Sequence, residues 1–223
     1  MGGLPPLASM IVAIDGPVGS GKSAVGRRVA EALGLTFVDS GLMYRVVGLL
    51  ALEGGLDLDG ADELSRLAGA TTVHIEGHCV RVGDRDVTGQ VYAPDLSAAA
   101  SQVAQAPGVR LAVVAQLRAM GKGGVVMAGR DIGTVVFPDA DHKFFLTASS
   151  DVRARRRARQ IEQRGERADP EALRVEVEER DRRDAGRAAA PMRPAEDAMI
   201  VETDDLDLPE VVAEVLRSVR GAA

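Results

Sequence analysis

Short apolar runs alternate along the chain with longer stretches of helical period, the pattern of a sheet whose strands are separated by helices. Met10–Asp15 (MIVAID) predicts a buried strand that runs into a glycine-rich turn, and Ser23–Leu33 predicts a helix with Val25, Val29 and Leu33 on one face. Four further strands are predicted at Leu35–Asp39, Gly124–Ala128, Lys143–Leu146 and Met199–Glu202. A last helix opens at Asp207-Leu208-Pro209-Glu210, a capping box with proline in the first turn, and carries Val212, Val215, Leu216 and Val219 on its apolar face. The strands read as continuous apolar runs, as strands covered on both faces do. The expected class is α/β: a three-layer sandwich around a five-stranded parallel sheet.

Two segments break the alternation. Val73-His74-Ile75-Glu76-Gly77-His78-Cys79-Val80-Arg81-Val82 alternates about a glycine and predicts a small hairpin within residues 60–95. Residues 151–187 predict a helix from about Asp151, a break near Gly165, and a second helix capped by Asp169-Pro170.

Composition changes this picture at a few points. The chain of 223 residues suits one domain with insertions, and with 3% aromatics and no Trp its core must be mostly aliphatic. A net charge of −6 gives no support to nucleic-acid or membrane-surface binding. That charge is uneven: residues 151–193 hold 13 of the 27 basic residues, all Arg, among ten acids. Most of these arginines are expected on a solvated face. Cys79 is the single cysteine, so no internal disulfide can form, which suits a reducing compartment. No apolar run approaches the ~20 residues that span a bilayer. Residues 1–9 read as a loose leader without a charged n-region, and a cytosolic protein is expected. On an alternating strand His78 and Cys79 would face opposite ways and could not share a metal. His74, His78 and His142 read as structural, and Tyr44 and Tyr92 as packing residues.

The most specific local signal is Gly16-Pro17-Val18-Gly19-Ser20-Gly21-Lys22-Ser23, which fits G-x-x-x-x-G-K-[ST] between a predicted strand and a predicted helix. Glycines let the backbone wrap an anion, so that successive N–H groups and the helix N-terminus point at phosphate oxygens. Lys22 would reach the β- and γ-phosphates, and the Ser23 hydroxyl would help hold Mg²⁺. This predicts a P-loop nucleoside-triphosphate site without saying what becomes of the triphosphate.

Ligands of open parallel sheets bind beyond the carboxyl ends of the strands. There the second strand ends in Asp39-Ser40-Gly41-Leu42-Met43-Tyr44-Arg45 and the third in Ala128-Gly129-Arg130-Asp131-Ile132-Gly133-Thr134. In a third cluster, Glu179–Arg187, helical spacing puts Arg180, Arg183 or Asp184, and Arg187 on one face. Two phosphates brought together repel, and guanidinium forks neutralise that charge while fixing geometry. A phosphate acceptor, with a second pKa near ~6, needs no general base.

GPVGSGKS, DSGLMYR, Ser101-Gln102-Val103-Ala104 with Arg110, GRDIGTVVFPDA and ERDRRDAGRAAAP follow one another in order from Met10 onward. Together they resemble the bacterial cytidylate kinases, P-loop nucleoside monophosphate kinases. The resemblance implies phosphoryl transfer from ATP to CMP or dCMP by a monomer with Mg²⁺, and no nucleic-acid or membrane partner. It places an acceptor-binding insertion at about 42–105 and an Arg-rich lid at about 151–187, within a kinase domain of 10–223. Gly16, Pro17, Val18, Gly19, Ser20, Gly21, Lys22, Ser23, Ala24 and Arg157 would bind ATP. Ser40, Arg45, Arg130 and Arg187 would hold the CMP phosphate and sugar end, Ser101, Arg110 and Asp131 the cytosine, and Arg180 and Asp184 the sugar hydroxyls. Lys22, Arg130 and Arg187 would be catalytic, and Arg153, Arg156 and Arg157 would belong to the lid. Adenylate, shikimate and dephospho-coenzyme A kinases share the phosphate loop, and Ser101, Arg110 and Asp131 with the large insertion separate them in favour of a cytosine acceptor. A P-loop ATPase or switch is disfavoured because Gly129-Arg130-Asp131 stands where a hydrophobic strand would end in DD or DE.

Overall fold

The computed structural model describes residues 9–93, 96–163, 165 and 167–221; the leader expected at 1–9 lies outside them except for Ser9. In chain order the elements are β1 (Ile11–Asp15), α1 (Lys22–Leu33), β2 (Thr36–Asp39), α2 (Gly41–Glu53), α3 (Ala61–Ala70), β3 (Val73–Glu76), β4 (Cys79–Val82) and β5 (Arg85–Asp86). There follow α4 (Thr88–Val91), α5 (Leu96–Val103), α6 (Pro107–Met120), β6 (Val125–Gly129), a π-helical turn (Ile132–Val136) and β7 (His142–Thr147). The chain closes with α7 (Ser150–Glu162), α8 (Pro170–Ala185), β8 (Met199–Glu202) and α9 (Leu208–Val219).

The main sheet runs β2-β6-β1-β7-β8, and its pairings are parallel. Successive residues of a strand face opposite layers. Val12 and Ile14 therefore enter a core with Val25 and Val29 of α1 and with Val211, Val215 and Val219 of α9. Ala13, Val38, Val125 and Met127 enter the other core, with Met43 and Val46 of α2 and Val109 and Val113 of α6. Each such fully buried aliphatic side chain contributes roughly 1.5–3 kcal/mol over an exposed one. In α9 the buried stripe is Val211, Val215 and Val219, while the predicted Val212 and Leu216 are only partly buried against it.

The helix ends are as the sequence expects. In the α9 capping box Asp207 accepts from the Glu210 N–H at 2.9 Å, and Glu210 accepts from the Asp207 N–H at 2.8 Å. Asp169 caps α8 by accepting from the N–H groups of Glu171 and Ala172. The predicted hairpin is β3–β4, extended by β5 into a three-stranded antiparallel sheet. His78 sits in the turn between the strands rather than on one of them, so the alternation argument about His78 and Cys79 does not apply. Among the described residues, no helix is long and apolar enough to cross a membrane, and no group of three or more His, Cys, Asp or Glu is placed to hold a metal ion.

The chain leaves central β1 for edge strand β2, returns to β6, and then crosses β1 to reach β7. The order reverses about β1, and a crevice opens there at the carboxyl ends.

Candidate active site

The loop after β1 lies at that crevice. Gly16 has φ +147°, and a Cβ on it would lie 2.1 Å from the Leu146 carbonyl oxygen, so only glycine lets the chain turn against β7. Gly21, at φ +89°, is the N-cap of α1. Together these turns aim the start of α1 into a cleft of about 340 Å³.

Val18, Gly19, Gly21, Lys22, Ser23 and Ala24 line this cleft, whereas Gly16, Pro17 and Ser20 lie behind it. Ser20 is 1% exposed and its Oγ has no hydrogen-bond partner. Lys22 Nζ donates to the Pro17 carbonyl at 2.8 Å. Burial and the nearby Arg130 hold its pKa well below the ordinary lysine value, against the pull of Asp39. Ser23 Oγ donates to Asp39 Oδ2 at 2.7 Å, joining the loop to the end of β2.

The opposite wall comes from α2, α5, the end of β6, and α8. Ser40, Arg45, Ser101, Arg130, Asp131, Arg180, Asp184 and Arg187 all line the same cleft. Arg110 does not: it lies 4% exposed, paired with Asp131, its guanidinium carbon 5.6 Å from the Tyr44 ring centroid. Ser101 Oγ and Arg110 Nη1 are buried without a partner. Arg45 donates to the carbonyls of Val91 and Ala93, at 2.9 and 3.1 Å, and so fastens the end of α4 to α2.

Asp184 is the anionic hub of this wall. One carboxylate oxygen accepts from Arg130 Nε at 2.9 Å, the other pairs with Arg187, and the residue is 1% exposed. Burial alone would raise its pKa, but Arg130, Arg187 and Arg180 outweigh it and hold the carboxyl below its usual range. Burial and the neighbouring Arg130 push Arg180 down to about 9, and Arg180 donates to Ser97 Oγ. Burial also lowers Arg187. Six cations, Lys22, Arg45, Arg130, Arg157, Arg180 and Arg187, line the cleft against three carboxylates, Asp39, Asp131 and Asp184. A net-negative protein thus keeps a cation-rich crevice suited to phosphates.

The arginines of α7 divide. Arg157 lines the cleft and pairs with Glu176 at 2.9 Å. Arg153, 6% exposed, donates to the Ala148 and Val18 carbonyls and pairs with Asp181 at 2.5 Å. Arg156 donates to Thr203 Oγ1 and to the Thr203 carbonyl. Of the three arginines expected in the lid, Arg157 lines the cleft, while Arg153 and Arg156 fasten α7 to the loop and the sheet edge. Their backbone acceptors lie up to 135 residues away, which no local spacing reveals.

Sequence reasoning left out several cleft residues. Tyr44 and Tyr92, read as packing groups, both face the cleft; burial pushes Tyr44 up to about 12, and Tyr92 contacts Arg27. Gln160 also lines it, without a sequence signal. Asp15 belongs to no motif, although an acid closing a buried apolar run is itself a signal. Its two oxygens accept from the N–H groups of Ile132 and Gly133, each at 2.8 Å.

A glycine-rich cradle between strand and helix, set at the switch point of a parallel sheet and opening on cations, defines a P-loop protein of the kinase fold. A gluconokinase from Sinorhizobium meliloti 1021 shares that fold, with TM-score 0.50 and 18% identity over 97% of this chain and 94% of its own. Residues 12–221 match the cytidylate kinase family, to which the chain belongs. The cytidylate kinase of Pelotomaculum thermopropionicum is 46% identical over 214 residues, 93% of this chain and 95% of its own length. The bifunctional pantoate ligase/cytidylate kinase of Synechococcus sp. (strain JA-3-3Ab) is 43% identical over 218 residues, 94% of this chain. This chain spans 40% of the length of that bifunctional protein.

Proposed function

We propose that the chain transfers the γ-phosphoryl group of ATP to CMP or dCMP, giving ADP and CDP or dCDP. The observation that carries the reading is the pairing of two walls in one cleft. One is the phosphate loop with Lys22. The other has Ser101 Oγ, buried and without a partner, beside Asp131, with Arg110 paired to Asp131 behind that wall and its Nη1 also buried without a partner. Buried polar atoms are normally satisfied, so unsatisfied ones on a cleft wall suit a ligand that completes them. Cytosine offers an amino donor beside two acceptors, which complements one carboxylate and two donors. Uracil would set a carbonyl against Asp131.

The phosphate loop would hold the donor, with Arg157 near it, and Ser40, Arg45, Arg130 and Arg187 would hold the acceptor phosphate. The acceptor oxygen is ionised near neutral pH, so an α-phosphate oxygen of CMP attacks the γ-phosphorus directly. The bond to the ADP oxygen breaks as the new one forms, and Lys22, Arg130 and Arg187 offset the charge. An arriving triphosphate opposes the burial and repulsion that depress Lys22, so substrate itself favours the ammonium form. Arg180 and Asp184 would reach the sugar.

Ser23 and Asp39 present a hydroxyl and a carboxylate, hard oxygens that would hold Mg²⁺. When bound, the ion neutralises β- and γ-phosphate charge. The family resemblance adds a cytosolic monomer, and the lone Cys79 suits a reducing interior.

The test is ADP release with MgATP against CMP, dCMP, UMP, AMP, GMP and shikimate, plus a control without acceptor. Turnover with CMP and dCMP alone is expected. Preference for another acceptor would overturn the roles of Ser101, Arg110 and Asp131, and slow acceptor-independent release alone would leave only the phosphate loop correctly read.

A further inference from the structure

We infer that Asp15, which lies behind the cleft wall and outside every role assigned above, is the positioning residue for Arg130 and Asp131. The inference rests on the proposed acceptor site. These two residues leave β6 between Gly129 and the π-helical turn, with Asp131 at the extended φ of −147° and ψ of 26°. The segment is anchored on both sides of the dipeptide, and each anchor is Asp15. Before it, Gly129 stands in register with Asp15 in the β1–β6 pairing. After it, the Ile132 and Gly133 N–H groups donate to Asp15 Oδ1 and Oδ2. The carboxylate thus caps a helical turn that begins 117 residues further along the chain.

Because Gly16, the next residue, begins the phosphate loop, Asp15 also sets the offset between the donor cradle and the acceptor wall. The contact calls for a carboxylate in particular. Two converging N–H donors need two acceptor oxygens, and an amide supplies one oxygen and a nitrogen that repels the second donor. Burial pushes Asp15 up to about 6, opposed first by these two backbone bonds. An ion kept 5% exposed at such cost is accounted for by what it holds in place.

Asp15→Asn is isosteric, carries no buried charge, and leaves the phosphate loop unaltered. KM for CMP should rise about tenfold, and the ratio of kcat/KM for CMP to that for UMP should fall about tenfold. KM for ATP should stay within about twofold, as the donor cradle keeps its own contacts. Asp15→Ser, which also lacks the second acceptor, should move the same ratio in the same direction. An unchanged CMP-to-UMP ratio in either variant would overturn the inference, as would an equal rise of both KM values. Unfolding of both variants at the assay temperature would overturn it too, since the contact would then be structural. If the wild-type chain itself does not phosphorylate CMP, the proposed function fails instead, and the two failures are distinguished in one assay.

Discussion

Replacing Asp184 by Asn tests whether the cleft is built around an anion. The carboxylate serves Arg130 with one oxygen and Arg187 with the other while 1% exposed, and Arg180 and Lys22 are close enough to perturb one another. Asn keeps the shape but turns one acceptor into a donor facing a guanidinium. Breaking a buried pair on one side costs about 3–5 kcal/mol, because the cations left behind are uncompensated. For a chain of this size, at about 2–4 °C per kcal/mol, melting should fall by roughly 6–20 °C. An external anion should then repair part of the damage. Thermal melts with millimolar sulfate, compared with chloride at matched ionic strength, should raise the variant's midpoint more than the wild type's. Acid should act on the wild type in the same direction. The Asp184 pKa is depressed on folding, so its contribution is full at neutral pH and is lost as pH falls through the depressed value, below about 4. A midpoint within a few degrees of wild type, or equal sulfate shifts, would refute the argument.

Three further outcomes are expected. Lys22→Ala should lower kcat by orders of magnitude with an unchanged circular dichroism spectrum, since its ammonium is tied to its own loop through the Pro17 carbonyl; retained turnover would remove Lys22 from the chemistry. Arg153→Met should lower the melting point by several degrees, because it leaves Asp181, already pushed up by burial, without its guanidinium. A pure loss of ATP affinity with normal melting would refute this anchoring role. Asp15 predicts a pH slope of opposite sign to Asp184: its raised pKa means the folded state holds the proton more tightly, so wild-type stability from this group declines as pH rises from about 4 to about 6. The melting-point difference, Asp15→Asn minus wild type, should grow across that window by the equivalent of about 3 kcal/mol at most; a flat difference would contradict the buried carboxylate.

The main-sheet strands were legible because each is a continuous apolar run, and β8 is found at Met199–Glu202 as predicted. Their ends shift by a residue, as at β6, where Gly129 joins the strand that the apolar run placed at Gly124–Ala128. The phosphate loop was equally legible, since its glycines are demanded by local backbone geometry at Gly16 and Gly21. Contacts between distant segments were not. Nothing in the composition of α7 separates Arg157, on the cleft, from Arg153 and Arg156, which bond to main-chain carbonyls elsewhere. The π-helical turn after β6 carries no periodic signature, and its partner is Asp15. The hairpin was visible within residues 60–95, while α5 and α6 were not predicted, and Ser101 and Arg110 on them were named only through the resemblance.

The two tyrosines carry a practical consequence. The chain has no Trp, and Tyr44 and Tyr92, both lining the cleft, are its full complement of Tyr. Excited in the tyrosine band, the protein therefore emits from residues that line the cleft. Tyr44 lies under the Arg110 guanidinium and Tyr92 beside Arg27, so a change in either contact alters the quantum yield of its ring. The unlabelled chain is its own optical sensor of cleft occupancy, and phosphate or sulfate, which do not absorb at the exciting wavelength, can be titrated against that signal directly.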